Sequence, residues 1–112
     1  MVEHCLAQLP NEGCGLLAMD GDRVAEIYPT GNDDPSPNSY TIPPEEHMRA
    51  LEDAESRGWV LGGAFHSHPT GPAMMSDTDV AGALDPSWLY VVVSLRDGVE
   101  WSAWRHGEAV EI

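Results

Sequence analysis

Residues 59–79 read WVLGGAFHSHPTGPAMMSDTD and predict a strand, a loop and the start of a helix in succession. The first ten of these residues are typical of a buried strand, in which Gly62 and Gly63 indicate a bulge or a close backbone approach. Pro69 ends the strand, and after a short loop a helix is expected over residues 76–84. The histidines of the strand therefore lie beside a loop and a helix N-terminus.

Upstream of this stretch the sequence predicts a helix, a strand hairpin, a long loop and a second helix. Residues 2–9 carry apolar side chains at helical spacing, and residues 13–19 and 23–28 predict two strands joined by an Asp-Gly-Asp turn. Residues 29–44 are rich in proline, asparagine and aspartate and form no regular element. Residues 44–58 predict a helix, with proline in the first turn and glycine at the end.

Downstream, three short strands follow one another as a meander. They are expected at residues 88–95, 99–105 and 108–112, with glycine-containing turns between them. A chain of 112 residues has room for one compact domain. We therefore expect residues 1–112 to form a single α/β domain, in which helices flank a mixed, largely antiparallel sheet.

The charge of the chain excludes several classes of partner. Nineteen acidic residues stand against five basic ones, all of them arginine, and the formal net charge is −14. This field repels phosphate backbones and anionic lipids, so we expect neither a nucleic acid nor a membrane as partner. The acid-rich, lysine-free composition is typical of a salt-rich cytoplasm; a GC-rich genome would explain the missing lysine but not the excess of acids.

Cysteine content and apolar runs indicate a cytoplasmic protein. Cys5 and Cys14 are too few for a secreted disulfide scaffold, and no signal region opens the sequence. The longest nearly apolar run, residues 88–95, is far shorter than the roughly 20 residues that cross a bilayer. Cys14 is expected to be a small core residue near the site described next.

Three residues of the opening stretch can reach one metal ion. His66 and His68 are two positions apart on a strand and therefore project from the same face, and Asp79 lies one turn into the following helix. Two imidazoles and a carboxylate form a set that zinc accepts while a fourth position stays open for water, as in catalytic sites. A non-haem iron centre uses the same ligand types, so these residues alone leave the metal undecided.

A purely structural interpretation competes for the same residues. Ser76 and Asp79 match the capping box of a helix start, and a lone His-x-His on a strand is more often packing than a ligand pair. The two patterns together, thirteen residues apart and joined by a short Gly/Pro loop, favour a metal site. Ser76 can then cap through its backbone position while its hydroxyl faces the metal.

These residues resemble the signature of the JAMM, or MPN-plus, metalloproteases. That signature is His-x-His-Pro, then six or seven residues, then Ser-x-x-Asp, with a glutamate upstream; here six residues separate Pro69 from Ser76. The upstream acid matches Glu12 in the run NEGCGLL, and the resemblance extends over residues 10–95. It implies the JAMM/MPN fold, which is similar to that of cytidine deaminases.

The resemblance implies a role for each matching residue. His66, His68 and Asp79 would bind one Zn²⁺ per chain, Glu12 would act as acid and base on the bound water, and Ser76 would stabilise the oxyanion. A general base is still needed beside zinc, and a fixed hydroxyl strengthens its hydrogen bond as the alkoxide forms. Members of this family cut the isopeptide or peptide bond after the C-terminal Gly-Gly of ubiquitin or a ubiquitin-like protein.

Small prokaryotic members resemble two kinds of enzyme, which leaves the substrate open. One kind removes ubiquitin-like modifiers from proteins and the other processes sulfur-carrier proteins, by release of a cysteine adduct or a C-terminal extension. The salt-adapted composition favours a haloarchaeal deconjugase, a desampylase, acting on lysine conjugates. The sequence leaves the oligomeric state undecided.

Other classes of function remain as alternatives. A non-catalytic MPN interaction module would lack a ligand, whereas every ligand position is filled here. A zinc nucleobase deaminase needs Cys-x-x-Cys, which this sequence does not contain, and a DNA-associated role is opposed by the charge.

Two further expectations concern the surroundings of the site. Family members have an additional strand and a longer helix before the motif glutamate, so we expect the family's first strand to be missing here. Met74 and Met75, and the loop that carries Asn32 and Tyr40, are expected to flank a substrate groove.

Overall fold

The computed structural model describes residues 1–83 and 85–111, which form three helices and six strands. In chain order the elements are α1 (Val2–Gln8), β1 (Cys14–Asp20), β2 (Arg23–Thr30), α2 (Pro44–Ser56), β3 (Val60–His68), α3 (Asp77–Gly82), β4 (Leu89–Ser94), β5 (Glu100–Arg105) and β6 (Glu108–Val110). Every predicted helix and strand is present. The predicted ends of the third helix at Leu84 and of the last strand at Ile112 lie outside the described residues.

The described strands form one sheet in the order β2-β1-β3-β4-β5-β6. Strands β3 and β4 pair in parallel, and the other neighbours pair antiparallel. A parallel pair needs a crossover connection, and the segment that contains α3 provides it. The prediction of a mixed, largely antiparallel sheet flanked by helices is therefore confirmed.

The two faces of the sheet carry separate apolar clusters. Helix α1 contributes to the first cluster, which comprises Cys5, Leu17, Met19, Phe65, Leu89, Val91, Val93 and Ala103. Helix α2 contributes to the second, which comprises Leu16, Ala50, Leu61, Ala64 and Tyr90. Burial of these side chains fixes the helices against the sheet. The face of the second cluster also carries the two histidines, because His66 follows Ala64 with strand period.

Both expectations for the glycine pair of β3 are confirmed. The register with β1 changes from Leu17 opposite Gly63 to Ala18 opposite Leu61, so Gly62 is the extra residue of a bulge. A Cβ on Gly63 would lie 2.7 Å from the carbonyl oxygen of Leu89. Glycine at this position therefore allows β3 and β4 to pair closely.

Most strand boundaries lie within one residue of the prediction, but strand β2 is longer than predicted. Strand β2 runs on to Thr30, beyond the predicted end at residue 28, and Thr30 pairs with Cys14. Because β2 is the edge strand of the described sheet, Pro29 loses no ladder hydrogen bond on its outer side. Among the described helices, none has the length and apolar character needed to cross a membrane.

Candidate metal centre

Strand pairing brings the predicted site residues together from distant parts of the sequence. Cys14 of β1 lies opposite His66 of β3 in antiparallel register, so the residue two positions before Cys14 lies level with His68. The backbone N–H of Gly13 donates to Ser67 Oγ at 2.8 Å, and the N–H of Ser67 donates to the carbonyl of Gly13 at 2.9 Å. These bonds hold Glu12 beside the end of β3.

Four buried side chains meet at this point: Glu12, His66, His68 and Asp79. One potential ligand atom from each lies within 4.8 Å of those of the others. The Nε2 atoms of His66 and His68 are 3.1 Å apart, and Asp79 Oδ2 lies 3.0 Å from the first and 2.9 Å from the second. The structure thus brings together all four residues that the sequence singled out as metal ligands and general base.

The donor set fits a metal ion. His68 Nδ1 lies 2.9 Å from the carbonyl oxygen of Pro72, so that nitrogen donates and the lone pair of Nε2 faces the cluster. The lone pair of His68 Nε2 and the carboxylate oxygen of Asp79, 2.9 Å apart, repel each other unless a proton or a metal ion lies between them. Zinc ligands at about 2.0–2.2 Å in a tetrahedron lie about 3.3 Å apart, close to the separations of the two Nε2 atoms and Asp79 Oδ2.

Charge and burial act in opposite directions on these three groups. Hydrogen bonds with both imidazoles outweigh burial and hold the pKa of Asp79 well below its usual range. Burial lowers the pKa of His66. Burial also disfavours a charged His68, but its hydrogen bonds to Asp79 and Pro72 outweigh that effect and raise its pKa. Asp79 is therefore a carboxylate, the form that a metal requires.

Glu12 differs from the other three residues in its environment. Its side chain is 1% exposed, and its Oε1 atom has no hydrogen-bond partner among the described residues. Burial raises the pKa of Glu12 to about 7, while His68 lowers it and Asp79 raises it further. An unpartnered buried carboxyl is costly and is typical of functional sites.

The capping box and the cluster coexist at the start of α3. Asp79 N–H donates to Ser76 Oγ at 3.1 Å, and Ser76 N–H donates to Asp79 Oδ2 at 2.9 Å. The hydroxyl oxygen of Ser76, and not only its backbone position, takes part in the cap, as the capping-box interpretation predicts. The helix start thereby orients the carboxylate that faces the two imidazoles.

Two cavities adjoin the cluster. One, of about 540 Å³, is lined by Asp79, by Tyr40 and by apolar side chains that include Trp88. The other, of about 350 Å³, is lined by Glu12, His68, Ser76, Met74 and Met75 among others. Met74 and Met75 line the second cavity and Tyr40 lines the first, so they do not border one common groove as expected, and a substrate groove stays a prediction. Asn32 borders neither cavity and donates to the carbonyls of Ser39 and Glu12.

The contacts of Tyr40 and Cys14 at the site arise only from the tertiary structure. The ring of Tyr40 stacks on the imidazole of His66, with centroids 4.6 Å apart and planes 21° apart. The only signal in the sequence was an aromatic residue in a loop rich in proline and asparagine. Cys14 is buried as expected and is absent from the cluster, since its thiol donates to the carbonyl of Gly31 at 3.2 Å.

Comparison with known proteins gives consistent matches. The family described as prokaryotic homologs of the JAB domain matches residues 1–107. A probable TtuB-protein conjugate cleaving protease of Thermus thermophilus is 40% identical over 113 residues, with 97% of this chain and 72% of the relative covered. The CysO-cysteine peptidase of Mycobacterium tuberculosis is 38% identical (87% and 68% covered), and the desampylase of Haloferax volcanii is 34% identical (92% and 76% covered).

A solved structure described as a JAMM metalloprotease-like zinc site in the proteasome and signalosome has the same fold. Its TM-score is 0.60 at 20% identity, and the match covers 99% of this chain and 84% of that one. Fold, clustered side chains and named relatives together define a hydrolase of the JAMM type. The chain belongs to the family of prokaryotic homologs of the JAB domain.

Proposed function

We propose that this chain is a zinc metalloprotease that hydrolyses the bond after the C-terminal Gly-Gly of a ubiquitin-like modifier. In this proposal His66, His68 and Asp79 hold one Zn²⁺, and Glu12 and Ser76 are catalytic residues. The observation that carries it is the convergence of the two Nε2 atoms and Asp79 Oδ2 within 3.1 Å, with Glu12 in the same buried cluster. The family match over residues 1–107 supports a single catalytic domain.

Glu12 is the proposed general base and general acid. Zinc, when bound, would supply a Lewis acid that polarises the scissile carbonyl and lowers the pKa of the attacking water. Oε1 of Glu12 has no hydrogen-bond partner among the described residues, and a carboxylate oxygen of Glu12 lies within 4.8 Å of the ligand atoms, so this carboxyl is free to accept the proton of that water. The same carboxyl then donates the proton to the leaving amine.

Ser76 is the proposed donor to the developing oxyanion. Its oxygen accepts the N–H of Asp79, which leaves the hydroxyl hydrogen free for another acceptor. The residue is exposed and lines the same cavity as Glu12 and His68. A hydroxyl fixed by the capping box loses little entropy when it stabilises the transition state.

The substrate class is proposed from the cavities and the relatives. The two cavities that adjoin the cluster support a substrate chain that extends along the site, and glycines let its backbone approach the reacting centre closely. Relatives named desampylase and conjugate cleaving protease act on modifier conjugates. The relative named CysO-cysteine peptidase supports a second candidate, release of a cysteine adduct from a sulfur carrier.

One set of substrates tests the proposal. Zinc-loaded protein is incubated with a Gly-Gly-ended modifier joined to lysine, to cysteine or to a linear peptide, at low and high KCl. We expect cleavage after the second glycine, with a loss of about 10²-fold or more in kcat in Glu12→Gln. The matched change Glu52→Gln, on the exposed face of α2, leaves kcat unchanged.

The outcomes separate the candidate functions. Preference for the cysteine adduct would move the function to sulfur-carrier processing. Failure to cleave any of the three substrates, with stoichiometric zinc bound, would leave a non-catalytic interaction module. A cytoplasmic setting remains part of the proposal and rests on the composition of the chain.

A further inference from the structure

The two histidines of the cluster are held in different ways. His68 is fixed by the hydrogen bond between its Nδ1 and the carbonyl of Pro72, at 2.9 Å. The Nδ1 of His66 has no hydrogen-bond partner among the described residues, although the side chain is 1% exposed. A metal-binding histidine ordinarily donates its second ring nitrogen to a neighbouring acceptor, which fixes the plane of the ring. Another contact must therefore fix the plane of His66.

The ring of Tyr40 makes that contact. It lies against the imidazole with centroids 4.6 Å apart and an angle of 21° between the planes. Stacked aromatic rings at this distance attract each other. This attraction resists rotation of either ring out of the nearly parallel arrangement. The imidazole of His66 also makes an edge contact with the ring of His68, with centroids 4.9 Å apart and an angle of 61° between the planes. The ring of Tyr40 therefore packs against one face of the His66 imidazole and fixes its plane.

The side chain of Asn32 holds the segment that carries Tyr40. Its Nδ2 donates to the carbonyl of Ser39 at 3.3 Å, and its Oδ1 accepts the N–H of Thr41 at 2.8 Å, so both neighbours of Tyr40 are bound. The same Nδ2 donates to the carbonyl of Glu12 at 3.2 Å. One amide therefore ties the stacked ring and the proposed general base to a common frame.

We propose that Tyr40 is a positioning residue that fixes the ring of His66 by stacking, and that Asn32 holds Tyr40 in place. Stacking here replaces the kind of hydrogen bond that His68 Nδ1 makes and that His66 Nδ1 makes to none of the described residues. Because the ring plane sets the direction of the Nε2 lone pair, loss of the stack loosens metal binding before any substrate is present. The inference rests on the metal site of the proposed function, and it is independent of the substrate.

Metal affinity tests this role without an activity assay. Zinc is titrated into Tyr40→Phe, Tyr40→Leu and Asn32→Ala in competition with a chromophoric chelator, and Co²⁺ absorption reports the ligand geometry. We expect Tyr40→Leu to weaken zinc binding about 10-fold or more, as losses of orienting partners do. The zinc affinity of Tyr40→Phe, which keeps the ring, is expected to stay within about 3-fold of that of the parent. The zinc affinity of Asn32→Ala is expected to fall between those of the two tyrosine variants.

The control is Tyr28→Leu, which removes a tyrosine that bonds Asp53 away from the cluster. It is expected to lower the melting temperature without changing zinc affinity. Unchanged affinity in Tyr40→Leu would overturn the inference, and so would a loss in Tyr40→Phe equal to that in Tyr40→Leu, which would assign the effect to the hydroxyl.

Two further outcomes keep the inference and the proposed function apart. If Tyr40→Leu does not fold, the zinc affinity of Asn32→Ala tests the inference. An affinity of Asn32→Ala equal to that of the parent would then contradict it. Failure of the parent protein itself to bind zinc would contradict the proposed function together with the inference. Normal binding by the parent and by every variant would contradict the inference alone.

Discussion

Replacing Glu12 by glutamine should remove a pH-dependent destabilisation of the metal-free protein. The carboxyl has a pKa of about 7 in the folded chain against 4.5 for an ordinary glutamate, chiefly because it is buried. A carboxyl whose pKa is raised by folding stabilises the native state fully below pH 4.5, and that contribution is lost as pH rises to 7. Glutamine resembles the protonated carboxyl at every pH.

The magnitude follows from the pKa difference. Each unit corresponds to about 1.4 kcal/mol, so ionised Glu12 costs the fold about 3 kcal/mol above pH 7. We expect Glu12→Gln to equal the parent in unfolding free energy near pH 4.5 and to exceed it by up to about 3 kcal/mol at pH 8. The variant is thus more stable and, under the proposed function, inactive.

Urea unfolding of chelator-treated protein between pH 4.5 and 8 measures the effect. The difference between variant and parent reports Glu12 together with its charge coupling to His68 and Asp79, while every other contribution is present in both proteins. Glu52→Gln is the matched control and should follow the parent curve at every pH. Parallel curves for Glu12→Gln and the parent would refute the argument that burial raises this pKa.

Three further predictions concern salt, thiols and packing. The chain has a net charge of −14, and salt screens its self-repulsion. The melting temperature should therefore rise by about 5 °C or more between 0.1 M and 2 M KCl. A melting temperature that does not change with KCl would contradict this. Burial raises the pKa of Cys5 and brings that of Cys14 to about 11, so a disulfide reagent at pH 8 should label neither thiol until urea unfolds the chain. Gly63→Ala should cost about 1–3 kcal/mol in chemical unfolding, since its Cβ would lie 2.7 Å from the Leu89 carbonyl oxygen; stability equal to the parent would show that β3 and β4 separate easily.

Local periodicity made much of the site predictable. Strand alternation alone places His66 and His68 on one face, and the Ser-x-x-Asp spacing alone forms the box that orients Asp79. Glu12 is more distant, 54 residues before His66. Its place was inferred from family resemblance, and in the fold it follows from the pairing of Cys14 with His66.

What the sequence by itself determined is the set of elements, the three ligand candidates and the common strand face of the two histidines, because each depends on spacings of a few residues. Only the tertiary structure decided the parallel pairing of β3 with β4, the passage of β2 through Pro29 and the stacking of Tyr40 on His66. Those contacts join segments far apart in the chain. The length and composition of the loop that carries Tyr40 limit the positions that its side chains can occupy. Packing against the sheet then selects the contact between Tyr40 and His66.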